Sequence, residues 1–284
     1  MSQGFGMGHV TAGILPPAEP HAIVEQIATQ RRRNTRRFRI TFVATWILLV
    51  GGFVGFLFAS GKIDTAFLSK WAGYILGGVG TTVFVAICSI SIAICLAVMG
   101  ALGRLSSNPI LFAVSTLYVS MVRGTPLIVQ IFFIYLALPQ IWSGFAEVPA
   151  IALGIFALSF NYGAYMTETF RAGIQAVPRG QTEAAEALGM PAQTRMRRII
   201  LPQAVRIITP AIGNEFISMI KDSALVSIIA VPELLWRAQR VGQSNFRTLE
   251  TLLLAAAVYW GLTIVLSLFQ DRLEKRMAES DRRI

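Results

Sequence analysis

The chain has 284 residues, of which 54% are hydrophobic and only 14% charged. A soluble domain carries about a quarter charged residues, so the balance points to a membrane protein. The +10 net charge comes without the interleaved aromatic and basic runs that stack bases, which argues against nucleic acid as a partner.

The first 30 residues mix Gly, Pro, Ala and Gln without a strong period. Together with the arginine run Arg31-Arg32-Arg33-Asn34-Thr35-Arg36-Arg37-Phe38-Arg39 they are read as a disordered, basic, cytoplasmic segment over residues 1–39. His9 and His21 lie there, far from any cluster of metal ligands. Residues 40–60 carry no charge at all. Twenty-one such residues exceed a signal-peptide core and suffice to cross about 30 Å of hydrocarbon, so this stretch is an uncleaved first span with its N-terminus inside. Residues 71–103 are again uncharged, with a second span expected over 74–102. They contain Cys88 and Cys95, the only cysteines, which read as small buried apolar residues. Ser106-Ser107-Asn108-Pro109 is a turn signal. Residues 110–138 form a third apolar stretch broken by Arg123, Gly124 and Pro126, a place where a helix kinks or breaks and frees backbone carbonyls. After a loop at 139–149 a fourth span covers 150–169, a polar basic segment covers 171–206, and a fifth span covers 210–231. A polar loop at 232–248, a sixth span ending at Phe269 and a charged cytoplasmic tail at 271–284 complete the chain.

Six spans that start inside put both termini in the cytoplasm. Eighteen Lys and Arg residues then fall in inside segments and five outside, as the positive-inside rule requires. The expected fold is therefore an all-α integral membrane protein with about six spans. The outer loop, with Arg237, Arg240 and Arg247, fits this least well.

On that topology Glu183 to Ala204 faces the cytoplasm. Thr182 can cap a helix, Glu183 and Glu186 suit its first turns, and Gly189 suits the left-handed position that ends it. Pro191 suits the start of a second helix and Pro202 discourages its continuation. Two short helices joined at a glycine are expected, with small alanines that let a partner's groove approach closely.

The fixed positions are Glu183-Ala184-Ala185, three residues, Gly189, nine residues, Ile199, one residue, and Leu201-Pro202. This spacing resembles the EAA loop of bacterial ABC importer permeases. The stretches Arg123 to Gln130, Phe170 to Gln181, Asn214 to Ile217 and Lys221 to Ser227 resemble the branch of that family that serves histidine, glutamine and arginine importers. The resemblance covers residues 74–269, within a permease domain drawn at 71–270. Two departures are the extra first span, since the family core has five, and Ala224, where relatives usually carry Ser.

The resemblance implies a translocation subunit of an importer for polar amino acids. Glu183, Ala184, Ala185, Leu188, Gly189, Ile199, Leu201 and Pro202 form the ATPase-coupling loop on this reading. Implied partners are two ABC ATPase subunits, a second permease copy or a homologous permease, and a periplasmic or extracellular amino-acid-binding protein, all set in membrane lipid. No G-x-x-x-x-G-K-[ST] loop, H-E-x-x-H or G-x-S-x-G occurs. The chain is thus expected to hold no cofactor or metal and to do no enzymatic chemistry, with ATP and Mg on the partner ATPase.

Ionisable groups within spans are costly and face protein or a water-filled path. Asn161, Glu168, Arg123, Lys221, Asp222 and Thr82 are the candidate path residues, with Glu215 and Thr81 open to the same reading. An amino acid offers an ammonium and a carboxylate. Asn161 and Glu168 can supply acceptors, and Arg123 or Lys221 a donor. The alternatives are interfacial snorkelling for Arg123, headgroup anchoring for Glu168, ion pairing for Lys221 and Asp222, and helix packing for Thr82. A gradient-driven secondary transporter or channel is the competing function, although no internal repeats occur of the kind such folds contain.

Overall fold

A computed structural model of the protein describes residues 20–281, and every regular element among them is helical. The chain divides into two compact units, residues 1–63 and residues 64–284.

Among the described residues the first unit contains one helix, α1 (Pro20–Ala59). At 1.5 Å per residue it is roughly 60 Å long. Three of its hydroxyls bond within the helix: Thr35, Thr41 and Thr45 each donate to the carbonyl four residues back, at 2.8–2.9 Å. Residues 33–59 are long and apolar enough to cross a membrane, as expected for the first span. The expectation of disorder over 1–39 needs correcting for residues 20–39, which form the first half of α1. Once a span nucleates a helix, each added residue contributes a hydrogen bond for little entropy, so the basic run extends it. Residues 1–19 lie outside the described residues.

The second unit is built on α3 (Gly78–Arg104) packed against α7 (Ala150–Gln175). Small residues make the close approach possible. Ala86, Ala93 and Ala97 are completely buried. A Cβ on Gly100 would sit 2.3 Å from Thr167 Oγ1, and one on Gly163 2.8 Å from Leu96 Cβ. This small-residue seam replaces the hydrophobic driving force that lipid removes. α2 (Thr65–Leu76) precedes α3 across the single residue Gly77, and Asp64 caps it through Ala66 and Phe67 N–H.

The third apolar stretch is broken as its Gly and Pro predict. α4 (Pro109–Arg123) and α5 (Leu127–Phe132) are followed by a π-helical turn (Phe133–Ala137) and α6 (Leu138–Ile141). The two halves meet at 106° across residues 124–126. α8 (Arg179–Ala187) and α9 (Ala192–Arg195) follow α7, and a π turn (Met196–Ile200) leads into α10 (Leu201–Asp222). A 3-10 stretch (Ser223–Ile229), α11 (Leu234–Ser244) and α12 (Thr248–Asp281) complete the unit. The polar loop expected at 232–248 is thus mostly helix α11. Its apolar face, Leu234, Ala238 and Val241, packs with Ile75 and Ala255. The tail expected from residue 271 continues α12 as far as Asp281.

Four helices among the described residues are long and apolar enough to span, and five if the bent pair counts as one span. α10, part of the expected fifth span, does not qualify alone, because Arg206, Glu215, Lys221 and Asp222 all lie within its 22 residues.

Candidate functional site

Two places concentrate the residues singled out from the sequence. The first is the turn after α8. Gly189 has φ +69°, a conformation glycine adopts without the Cβ penalty. Its N–H donates to Glu186 O at 2.9 Å, and Met190 N–H donates to Ala185 O at 3.0 Å. This pair of bonds is a Schellman motif, which satisfies carbonyls that a helix end would otherwise orphan. Ala185 is buried under the turn, whereas Glu183, Ala184 and Ala187 are exposed and Leu188 is 82% exposed. Arg195 of α9 pairs with Glu186 at 2.6 Å, fixing the two arms of the turn.

Behind the turn, Val177, Ile200, Ala204 and Ile208 form a buried cluster. Ile199 is half-buried beside it, and Leu201 and Pro202 are exposed. Two expectations fail here. Thr182 is no cap, because α8 begins three residues earlier, after Pro178. Pro202 does not end the second helix. It occupies the first turn of α10, where its missing N–H costs little, and the π turn before it absorbs the irregularity.

The second place is a cavity of about 300 Å³, at the lower end of the range for small-molecule sites. Thr125, Pro126 and Leu127 of the helix break form one side, Asn161, Tyr162 and Tyr165 of α7 another, and Glu215 and Asp222 of α10 the third. The break exists because Gly124 and Pro126 interrupt α4, and Gln130 satisfies what the break exposes. Its Nε2 donates to Val122 O at 2.8 Å and to Thr125 O at 3.1 Å. Its Oε1 accepts from Asn161 Nδ2 at 3.1 Å, so one side chain both closes the break and orients a cavity residue. Tyr162 Oη donates to Asp222 Oδ2 at 2.7 Å. The Arg123 guanidinium stacks 5.2 Å from the centre of the Tyr165 ring, a cation–π placement next to the cavity.

Of the candidate path residues, Asn161 and Asp222 line this cavity and Arg123 adjoins it through Tyr165. Glu168, Lys221 and Thr82 do not. Glu168 accepts from Arg104 at 3.2 Å and from Arg171 at 2.7 Å, and two guanidiniums leave it committed to joining α3 and α7. Lys221 is exposed, about 100° around the helix from Asp222. Thr82 donates to the buried carboxylate of Glu233 at 3.2 Å and accepts from Leu234 N–H. Glu233 also accepts from Trp236 N–H at 2.7 Å and from Tyr259 Oη, tying α3, α11 and α12 together.

Tyr162, Tyr165 and Thr125 were missed from the sequence, and Glu215 was weighed without being chosen. A signal was present. Asn161 and Tyr165 share a face at i and i+4, with Tyr162 three residues before Tyr165 at its edge, and Glu215 and Asp222 lie two turns apart on another helix.

A broken helix beside a polar cavity, on a small-residue helical core with a projecting turn, fits a membrane permease subunit. The family model for binding-protein-dependent transport system inner membrane components matches residues 93–279, and the chain belongs to that family. It is 37% identical over 214 residues to a probable amino-acid ABC transporter permease, PatM of Vibrio harveyi, covering 75% of this chain and 96% of that one. It is 40% identical to the L-cystine permease TcyB of Bacillus subtilis, covering 71% and 85% of the two chains. Among solved structures, a chain of an amino acid ABC transporter crystallised with histidines matches with a TM-score of 0.71 at 37% identity, over 75% of this chain and 99% of that one. The inward-facing MetNI methionine transporter matches with a TM-score of 0.56 at 16% identity over 76% and 99%, a likeness of fold. The chain is an amino-acid permease of the ABC importer class and a multi-pass membrane protein.

Proposed function

We propose that the chain forms half of a translocation path for polar amino acids and is moved from the cytoplasm by a separate ATPase. It spans the membrane six times, α1 first, with both termini inside. A second permease, identical or homologous, completes the path. Two ATPase subunits bind beneath and take up α8 of each permease, and a periplasmic or extracellular binding protein delivers the amino acid. ATP and Mg stay on the ATPase, and this chain performs no hydrolysis.

The observation that carries the reading is the surface of α8. Ala184, Ala187 and Leu188 are apolar, exposed and set on a short helix locked by a Schellman turn. An apolar helix ridge of this kind suits a groove on a partner. The Glu186–Arg195 pair ties the ridge to α9, which runs through the π turn into α10. Because α10 carries Glu215 and Asp222 into the cavity, pressure on α8 reaches the path through one continuous helical arm.

The test is Leu188→Asp in the assembled transporter. A charge buried in a groove costs several kcal/mol, so co-purification of the ATPase falls sharply and ATP-dependent uptake is lost. Unchanged co-purification together with unchanged uptake contradicts the role of α8.

A further inference from the structure

We propose that the arginine collar ahead of the first span, on α1, binds anionic phospholipids and holds their phosphate headgroups around the helix. Such a site belongs to α1 alone and does not depend on the coupling role of α8.

The density and isolation of the charge carry it. Six arginines fall within residues 31–39, and no Asp or Glu occurs between Glu25 and Asp64. Arg31, Arg33, Arg36, Arg37 and Arg39 are exposed, and none of these forms an ion pair among the described residues. Arginines of the second unit are used differently. Arg104, Arg171, Arg195 and Arg247 each hold a carboxylate, at 3.2, 2.7, 2.6 and 2.9 Å. A dense basic cluster at the end of a membrane span, left without carboxylates, draws anionic headgroups to it.

Helix geometry sets the depth of the collar. Charge ends at Arg39, and residues 40–59 continue α1 uncharged to its end at Ala59. At 1.5 Å per residue that run covers about 30 Å, the thickness of the hydrocarbon layer. Arg36, Arg37 and Arg39 then lie within about 6 Å of the hydrocarbon edge, inside the headgroup layer. Arg31 and Arg33 stand just beyond that layer, within a screening length of about 8–10 Å.

The shape of the collar separates lipid from a protein partner. At about 100° per residue these arginines are spread around α1 with no gap wider than roughly 120°. Ile47, Leu48 and Leu49, deeper in the span, are exposed as well, so apolar side chains face three directions there. An acidic groove on a protein would meet one face of such a helix, whereas lipid surrounds all of it. Each guanidinium can take a phosphate through two parallel hydrogen bonds. Phosphatidylcholine cancels its phosphate with its own choline. An anionic phospholipid brings an uncompensated negative charge, which the collar matches.

The test uses the full permease–ATPase complex in phosphatidylcholine bilayers. A fluorophore is attached at Thr41→Cys, an exposed position next to the collar, in a chain that also carries Cys88→Ala and Cys95→Ala. Brominated phosphatidylglycerol and brominated phosphatidylcholine quench it, and their relative affinity at the collar is read from the quenching. With the native arginines, phosphatidylglycerol is expected to be preferred at least about 10-fold, since each arginine near the surface strengthens binding by about 5-fold. At about 1 M salt, where the screening length is about 3 Å, the preference falls toward one. Arg36→Gln, Arg37→Gln and Arg39→Gln together also bring it toward one, while the same three positions changed to Lys keep most of it. The remaining arginines hold the span's orientation in both variants. A native ratio near one overturns the proposal, whether the arginines stand in water or face acidic protein. An unchanged ratio in the Gln variant overturns it too. Should that variant fail to insert, the native ratio and its salt dependence decide, and a preference that salt leaves unchanged counts against the collar.

Discussion

Gly189 has open space around its missing Cβ, so nothing steric in its surroundings demands a glycine. The demand comes from its φ of +69°. A β-branched residue there pays about 1–2 kcal/mol, whereas asparagine tolerates the conformation. Gly189→Val is therefore expected to speed hydrogen exchange of the Gly189 and Met190 amides by roughly 5- to 30-fold, with Gly189→Asn close to wild type. Equal exchange in both variants would remove the Schellman turn from the account. Gln130 acts at the same scale. Gln130→Leu leaves Val122 O and Thr125 O without their side-chain donor and releases Asn161. The expected loss is about 1–3 kcal/mol, seen as a lower melting point of the detergent-solubilised complex, and an unchanged melting point would contradict the clamp. The Gly189 turn was legible in the sequence because its cause is local. Gln130's role was not, because its acceptors lie across a break whose 106° angle no spacing rule supplies. The ion pairs of Glu168 were not legible for a related reason: Arg104, one of its partners, is 64 residues away.

Elements show the same division. The apolar runs and the Gly-Pro break of the third stretch were readable from charge gaps and breaker residues alone. α11 was not, since polar residues dominate it and only its packing on Ile75 and Ala255 makes it a helix. Its N-terminus also has a pH signature. Burial pushes the Glu233 carboxyl above the usual carboxylate range, and hydrogen bonds from Tyr259, Leu235, Trp236 and Thr82 offset this only in part. With the folded value above the unfolded one of about 4.3, the folded state holds the proton longer. Glu233's contribution to stability is then full below about pH 4.3 and declines as pH rises through its folded value. Glu233→Gln cannot titrate, so its melting point should fall less than that of wild type between pH 4 and pH 8. Parallel pH profiles for the two proteins would contradict the assignment.

Across the whole molecule, charge asymmetry and a single seven-position motif led to the correct class of protein, because bilayer thickness and subunit coupling leave strong marks on sequence. Two of the three arginines that fitted the charge rule least well hold the structure together. Arg247 pairs with Asp64 at 2.9 Å and Glu250 at 3.0 Å, joining the starts of α2 and α12, and Arg237 donates to Tyr74 O and Pro232 O. On the proposed mechanism, α8 carries force from an ATPase to the cavity through α10. The most direct measurement is amino-acid uptake into proteoliposomes holding the full complex, with ATP or a non-hydrolysable analogue inside. Uptake is predicted only with hydrolysable ATP, and it should vanish in Leu188→Asp. Accumulation driven by an ion gradient in the absence of the ATPase would contradict the account.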